Sequence, residues 1–210
     1  MKSYKLNINL VIIFVSIISI ILFSLVLMIS HLANTELIKE MLLHYGYIVA
    51  PVSIIWIVTD RYLWHTKLFQ SLGAPLNIPH DLRGRWEGTL ENSDGSQPQK
   101  FVIEVKQTLT TLSVQSFSSI GQSSSILSEI AASANEDKFT LCFLWEGEIH
   151  TAIKDINLNE NFYGYTMLTL YEKESPRILK GAYFTNRKTS QTRGGILLTW
   201  ISYKRKKKLE

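Results

Sequence analysis

Two short segments carry the residue types best suited to binding a small ligand. The first is Gly181-x-Tyr183-x-Thr185-x-Arg187, and Arg193 follows it across a predicted hairpin. Alternate residues of a β-strand share a face, so an aromatic ring, a hydroxyl and a guanidinium would lie side by side. Aromatic rings stack on bases and guanidinium groups bind phosphate, so this face suits an anion of nucleotide size. An outward ladder of solvated polar residues is the alternative.

The second segment, Arg83-Gly84-x-Trp86-x-Gly88, begins the first predicted strand. It places Trp86 on the same strand face as the two glycines. An indole at such a position closes one end of a small barrel, and direct contact with a ligand is the alternative. The predicted ligand-binding set is Trp86, Tyr183, Thr185, Arg187 and Arg193.

Motifs for catalysis are absent from the sequence. No glycine-rich phosphate loop precedes a helix, and the segment from Gly121 to Ser125 lacks the spacing of a nucleophile elbow. The five histidines are dispersed, and the single cysteine, Cys142, has no partner for an intrachain disulfide. We predict a protein that is not an enzyme, with no catalytic residue, no metal site and no cofactor.

Short β-strands must position the candidate residues. From Leu82 onward apolar and polar residues alternate between turn signals, which predicts an all-β domain, a small antiparallel up-and-down barrel of about eight strands. A closed barrel of this kind needs an even strand number, so one of nine candidates is wrong or irregular, and Ile149 to Asn157 and Ser123 to Ala132 are the weakest. The candidates are Gly84 to Glu91, Gln99 to Gln107, Leu109 to Ser118, Ser123 to Ala132, Lys138 to Glu146, Ile149 to Asn157, Phe162 to Tyr171, Arg177 to Lys188 and Gly195 to Tyr203.

Two stretches near the N-terminus carry no charged residue, Leu6 to Ser30 and Met41 to Thr59. As helices rising about 1.5 Å per residue, both are long enough to cross a hydrocarbon core of about 30 Å. We therefore predict two transmembrane helices in a hairpin over residues 1–59, an interfacial linker over residues 60–81, and a β-barrel with a basic tail over residues 82–210. A cleaved signal peptide is the alternative for the first stretch.

Basic residues near the span ends predict the orientation. Lys2 and Lys5 precede the first span and Arg61 and Lys67 follow the second, whereas the connecting loop carries Lys39 alone. The positive-inside rule then places both termini and the barrel in the cytoplasm.

The formal net charge of +4 depends on one terminal run, Lys204 to Lys208. Without this run the charges nearly balance, so we predict no direct binding of DNA or RNA. The run itself suits attraction to anionic lipid, with a solvated tail as the alternative.

Small residues recur on one face of the second predicted span, at Gly46, Ala50 and Ser53. Such a face lets another helix approach closely. The approaching helix belongs either to another copy, which would make the protein a homo-oligomer, or to the first span of the same chain.

Together these features resemble a known family. Two N-terminal spans, a short proline-containing linker, the Trp86 strand and the Tyr183 hairpin are similar to the two-transmembrane, β-barrel effectors associated with bacterial CD-NTase (SMODS) synthases in CBASS antiphage defence. The resemblance implies that the barrel binds a cyclic dinucleotide second messenger. It also implies that the protein then oligomerises and disrupts the inner membrane, killing the cell. The rival classes are a membrane-tethered lipocalin-like carrier and a constitutive scaffold that binds another protein.

The orientation is testable with a C-terminal alkaline phosphatase fusion, an enzyme that is active only in the periplasm. Because the basic residues flank the outer ends of the two spans, the fusion should be inactive. A fusion within the loop between the spans serves as the positive control. An active C-terminal fusion would contradict the orientation.

Overall fold

A computed structural model describes residues 2–3, 8–32, 49–71, 78–132, 138–149, 162–172, 174–186 and 191–209. The chain divides into two compact units. One unit comprises Met1–Tyr4, His80–Gln107 and Thr111–Glu210, and the other comprises Lys5–Pro79 and Thr108–Thr110.

The first unit is a closed β-barrel. Each strand from β2 to β9 pairs antiparallel with its neighbours in sequence, and β9 returns to pair with β2, so the sheet has no free edge among these eight strands. The two-residue strand β1 pairs antiparallel with the end of β5, at Ala131 and Ala132. The prediction of an eight-stranded antiparallel up-and-down barrel is confirmed. The strands are β1 (Lys2–Ser3), β2 (Gly84–Asn92), β3 (Gln99–Gln107), β4 (Leu112–Ser118), β5 (Gly121–Ala132), β6 (Phe139–Ile149), β7 (Phe162–Tyr171), β8 (Ile178–Asn186) and β9 (Arg193–Ser202).

Eight of the nine candidate strands overlap β2 to β9. The ninth, Ile149 to Asn157, lies outside the described residues except for its first residue. The candidate that starts at Leu109 begins three residues later in the structure, at Leu112. The reason is that Leu109 belongs to the second unit, where its amide donates to the carbonyl of Asp60 at 3.0 Å and its side chain packs with Trp64.

One end of the barrel is closed by two tryptophans. Trp86 is fully buried and donates its indole N–H to the carbonyl of Leu82 at 3.0 Å, while Trp200 donates to the carbonyl of Arg83 at 3.1 Å. The guanidinium of Arg177 lies 5.5 Å from the ring centre of Trp86 and 5.0 Å from that of Trp200. These contacts tie the chain segment before β2 across the barrel end and fill it with aromatic rings.

The C-terminal segment is bound to the outer surface of the barrel. Arg85 on β2 and Glu104 on β3 form an ion pair at 2.9 Å, and both side chains are buried although they are not in the core. Arg85 also donates to Glu87 and to two carbonyl oxygens of residues 206–209, and Glu104 accepts from two amides of the same residues. The basic run therefore has its backbone fixed on the barrel, with its side chains exposed.

The second unit contains helices. Helix α1 spans Ile8–Leu32, residues 49–58 form helix α2, a π-helical turn covers Thr59–Leu63, and α3 spans Lys67–Ser71. Among the described residues, no helix has the combined length and hydropathy needed to cross a membrane. Of the predicted small-residue face, Ala50 and Ser53 are exposed on α2, and Gly46 lies outside the described residues.

The ion pair beneath the C-terminal segment yields a stability prediction. Glu104→Ala removes the buried partner of Arg85 and leaves only the carboxylate of Glu87 beside its guanidinium, which should lower the free energy of unfolding by about 3 kcal/mol. We expect a value at the lower end of the destabilisation known for broken buried ion pairs. The reason is that a single backbone segment, residues 206–209, covers this pair. The measurement is denaturant unfolding followed by tryptophan fluorescence.

The matched control is Glu91→Ala, which removes an exposed carboxylate from the same strand as Arg85 and should change the free energy by less than about 0.5 kcal/mol. Trypsin should also cleave the terminal run faster in Glu104→Ala than in the control. Equal stability and equal cleavage of the two variants would contradict the bound C-terminal segment.

Candidate functional site

A cavity opens at the barrel end opposite Trp86. Because the strands are antiparallel, the ends of β2, β4, β6 and β8 meet the beginnings of β3, β5, β7 and β9 at this end. Most residues that line the cavity come from these strand ends and the turns between them, and the cavity volume is about 120 Å³. By this measure it has room for on the order of ten water molecules.

Aromatic rings and neutral polar groups line most of the cavity. The described lining includes one carboxylate, Glu148, and no lysine or arginine. Hydroxyl and amide groups can both donate and accept hydrogen bonds, so the wall is suited to the edge of a polar aromatic ligand. The lining is Leu90, Asn92, Gln99, Phe101, Ser116, Ser118, Ile120, Gly121, Gln122, Ser123, Phe143, Trp145, Gly147, Glu148, Phe162, Thr166, Tyr183, Thr185, Thr192 and Ile196.

Two residues of the predicted ligand-binding set line this cavity, Tyr183 and Thr185. Both lie on β8 and are buried. The Tyr183 hydroxyl donates to the side-chain oxygen of Asn92, which connects β8 to the end of β2. Thr185 pairs with Thr192 through their hydroxyls at 2.7 Å and through a backbone hydrogen bond at 2.8 Å, which closes the β8–β9 hairpin at the cavity edge.

The other three residues of that set are not brought to the cavity by the described structure. Trp86 fills the opposite end of the barrel, as the barrel-closing interpretation of its strand predicts. Arg193 is exposed at the beginning of β9, where its carbonyl accepts from the amide of Ser93 at 2.9 Å. Arg187 lies outside the described residues. The binding roles of all three stay predictions.

Sequence reasoning missed the opposite wall of the cavity. Trp145 on β6 donates its indole N–H to the hydroxyl of Thr166 on β7 at 2.9 Å, and its ring meets Phe162 edge-to-face at 5.6 Å. On the third side, the hydroxyls of Ser116 and Ser123 lie 2.5 Å apart across β4 and β5. The alternation of β6 is visible in the sequence and predicts a strand, but nothing in one sequence distinguishes a packed interior from an open one.

Two shifted pKa values belong to groups outside the cavity. Burial acts to raise the pKa of Asp81, but hydrogen bonds from the side chain and backbone of Arg83 outweigh it and lower that pKa. On the outer surface, a hydrogen bond with Cys142 and partial burial raise the pKa of Tyr165 to about 12. Within the described ranges, no three His, Cys, Asp or Glu side chains lie close enough together to hold a metal ion.

A closed barrel that is filled at one end and opens onto a polar, aromatic cavity at the other defines a small-molecule-binding barrel. Residues 76–200, more than half of the 210-residue chain, match the family model of Cap15, cyclic dinucleotide receptor domain. The chain belongs to this family, whose barrel is a CBASS effector domain and a receptor domain rather than a catalytic one. No curated protein sequence matches the chain. The family expected from the resemblance is confirmed.

Proposed function

We propose that the barrel cavity binds a cyclic dinucleotide and that binding drives the self-association of a membrane-embedded antiphage effector. The observation that carries this proposal is the cavity itself, located at the open end of a barrel whose family is named for cyclic dinucleotide reception. Self-association then disrupts the bacterial inner membrane and kills the infected cell.

The cavity lining supports a nucleotide ligand over a lipid. A carrier of fatty acids needs a mostly hydrocarbon interior, because a buried polar group without a partner is costly. Here hydroxyls and amides from six strands surround the aromatic rings, as at Ser116, Gln99 and Thr166. These groups offer a polar ligand hydrogen-bonding partners that an alkyl chain cannot use, which disfavours the lipocalin-like alternative.

The rim of the cavity supports a role for cations in binding the phosphates. Arg187 follows the cavity-lining Thr185 by two residues, and Arg193 follows the cavity-lining Thr192 by one. Arg193 begins β9 beside the opening, whereas Arg187 lies outside the described residues and is close to Thr185 in sequence only. Their guanidinium groups would neutralise a dianionic ligand whose bases enter a wall of neutral groups.

The membrane part of the proposal is supported by the two charge-free stretches of the sequence. Large apolar side chains are exposed along α1, including Ile13, Ile17 and Ile20. Two helices from one chain cannot enclose a sizeable aqueous path, so membrane damage requires several copies. The exposed Ala50 and Ser53 on α2 provide a surface for close helix packing.

Ligand affinity tests the binding half of the proposal. The protein should bind a cyclic dinucleotide in calorimetry, and Arg187→Ala should weaken binding by about 1.5 to 3 kcal/mol because a charge-assisted bond to phosphate is lost. Arg205→Ala, in the terminal run, is the control and should leave the affinity unchanged. Wild-type affinity of a folded Arg187→Ala variant would remove Arg187 from the site.

Crosslinking of the protein in membranes tests the second half of the proposal, self-association driven by the ligand. Shifting an assembly equilibrium from 1:99 to 99:1 takes about 5.5 kcal/mol of differential binding, which a tight ligand on each subunit can supply. The ligand should therefore increase crosslinking of the full-length protein, and Ala50→Leu should reduce crosslinking and dye entry while calorimetric affinity stays intact. Ile54→Leu, a volume-conserving change on the same helix, is the control.

Deleting residues 1–59 should abolish dye entry. If the ligand leaves crosslinking unchanged, or if the detached barrel still kills cells, the mechanism is wrong and the scaffold alternative gains support.

A further inference from the structure

Trp145 lies directly against a glycine of the neighbouring strand. Gly164 on β7 is its cross-strand partner, and a Cβ added to Gly164 would lie 2.2 Å from Cζ2 of the indole. The same Cβ would lie 2.5 Å from Cε2 and 2.6 Å from Cη2. Because the distances to the two neighbours of Cζ2 are only slightly longer, the Cβ would stand above the ring plane rather than at its edge. One face of the indole therefore rests on the backbone at Gly164.

Three further contacts fix the ring in this place. The indole N–H donates to the hydroxyl of Thr166, and the ring of Phe162 contacts the indole edge-to-face. Gly147 allows both rings to approach the barrel wall. A Cβ on Gly147 would lie 3.0 Å from atoms of both rings. The indole is only 9% exposed, and its second face is turned away from the wall into the barrel interior, where Trp145 lines the cavity.

We propose that Trp145 is a stacking platform for a single nucleobase, held against the barrel wall by the positioning residue Gly164. This inference rests on the proposed function and specifies how the ligand is held. An aromatic face whose N–H is already bonded offers only its π surface, and stacking on such a surface tolerates any base.

The size and chemistry of the cavity fit one base rather than the whole ligand. Room for about ten water molecules is enough for a purine ring system and too little for a whole cyclic dinucleotide. Hydroxyls from Ser116 and Ser123 and the amide of Asn92 lie around the same cavity and can bond to the base edge. The ribose-phosphate ring and the second base would then lie at the opening, beside the β8–β9 hairpin.

The decisive variant is Gly164→Ala, which removes no group that could contact the ligand. Its methyl group must push the indole off the wall and into the cavity, so affinity for a cyclic dinucleotide should fall at least tenfold. In the Gly164→Ala background, Trp145→Phe should restore part of the loss, because the smaller ring clears the methyl group. Gly195→Ala is the matched control, since the nearest atom to its Cβ is 3.9 Å away.

A second set of variants keeps the test independent of how well Gly164→Ala folds. Trp145→Leu removes the aromatic platform and should weaken binding by about tenfold to a hundredfold, with Trp145→Phe in between. Ligand should quench tryptophan fluorescence in the wild type and in Trp200→Phe, but not in Trp145→Phe. Wild-type affinity in Trp145→Leu, or quenching that survives in Trp145→Phe, overturns the platform.

Failure of this inference differs from failure of the proposed function. If the wild type binds a cyclic dinucleotide and both Gly164→Ala and Trp145→Leu bind it equally well, the platform is wrong and the function stands. If no cyclic dinucleotide binds the wild type, the proposed function fails. Free adenosine and guanosine then test the platform alone, since stacking predicts that either nucleoside quenches the fluorescence of Trp145. Absence of quenching by both nucleosides overturns the inference.

Discussion

Closure of the sheet through the pairing of β2 with β9 is the constraint on which the rest of the structure depends. Seven consecutive hairpin pairings would leave two exposed edges, and the β2–β9 ladder removes both. The backbones of β2 and β9 lie very close together at two glycines. A Cβ on Gly88 would lie 2.0 Å from the carbonyl oxygen of Leu197, and one on Gly194 would lie 1.8 Å from that of Glu91. Glycine at these positions thus allows closure, and closure forces every second residue of eight strands into one interior.

That interior is filled unequally, and the inequality creates the site. At the closed end Trp86, Leu82 and Trp200 occupy the space between the strands. At the open end several inward positions carry small residues, such as Ser116, Ser123 and Gly147, so the same barrel diameter leaves a cavity between the aromatic rings. Side-chain volume therefore changes along the strands, so that one end of the barrel is a packed core and the other end has space for a ligand. No separate domain is needed to form the cavity.

The sequence predicts the barrel well because strands and turns can be recognised from residues that are neighbours in the chain. Alternation and turn residues predict where strands lie, and the even number required for closure indicates that one of nine candidates is wrong or irregular without identifying it. The cavity is harder to predict because it depends on which inward residues face one another across the barrel. The side-chain types of Tyr183 and Thr185 indicate ligand binding. Nothing in the sequence distinguishes Trp145 from an aromatic residue of a packed core. Its partner Gly164 lies on another strand, and only the register reveals that the two meet.

The buried pair of Arg85 and Glu104 could not have been found from the sequence for a related reason. Both residues occupy outward strand positions, which normally carry solvated charges, and their burial depends on a segment more than a hundred residues away in sequence. The terminal run reads as a free cationic tail, yet its backbone is bound by the barrel.

The cavity wall also bears on how ligand binding could be coupled to self-association. On β6, β7 and β8 the residues that line the cavity alternate with exposed apolar residues on the outer surface, Leu144, Met167 and Phe184. Inner and outer side chains share one backbone, so a wall that shifts around an inserted base shifts the outer surface with it. If ligand binding promotes self-association as proposed, the ligand must bind the two states with different affinity, and these strands offer one direct route from the cavity to a neighbouring copy. The terminal segment lies on the opposite side of the barrel, on β2 and β3, and leaves this route uncovered.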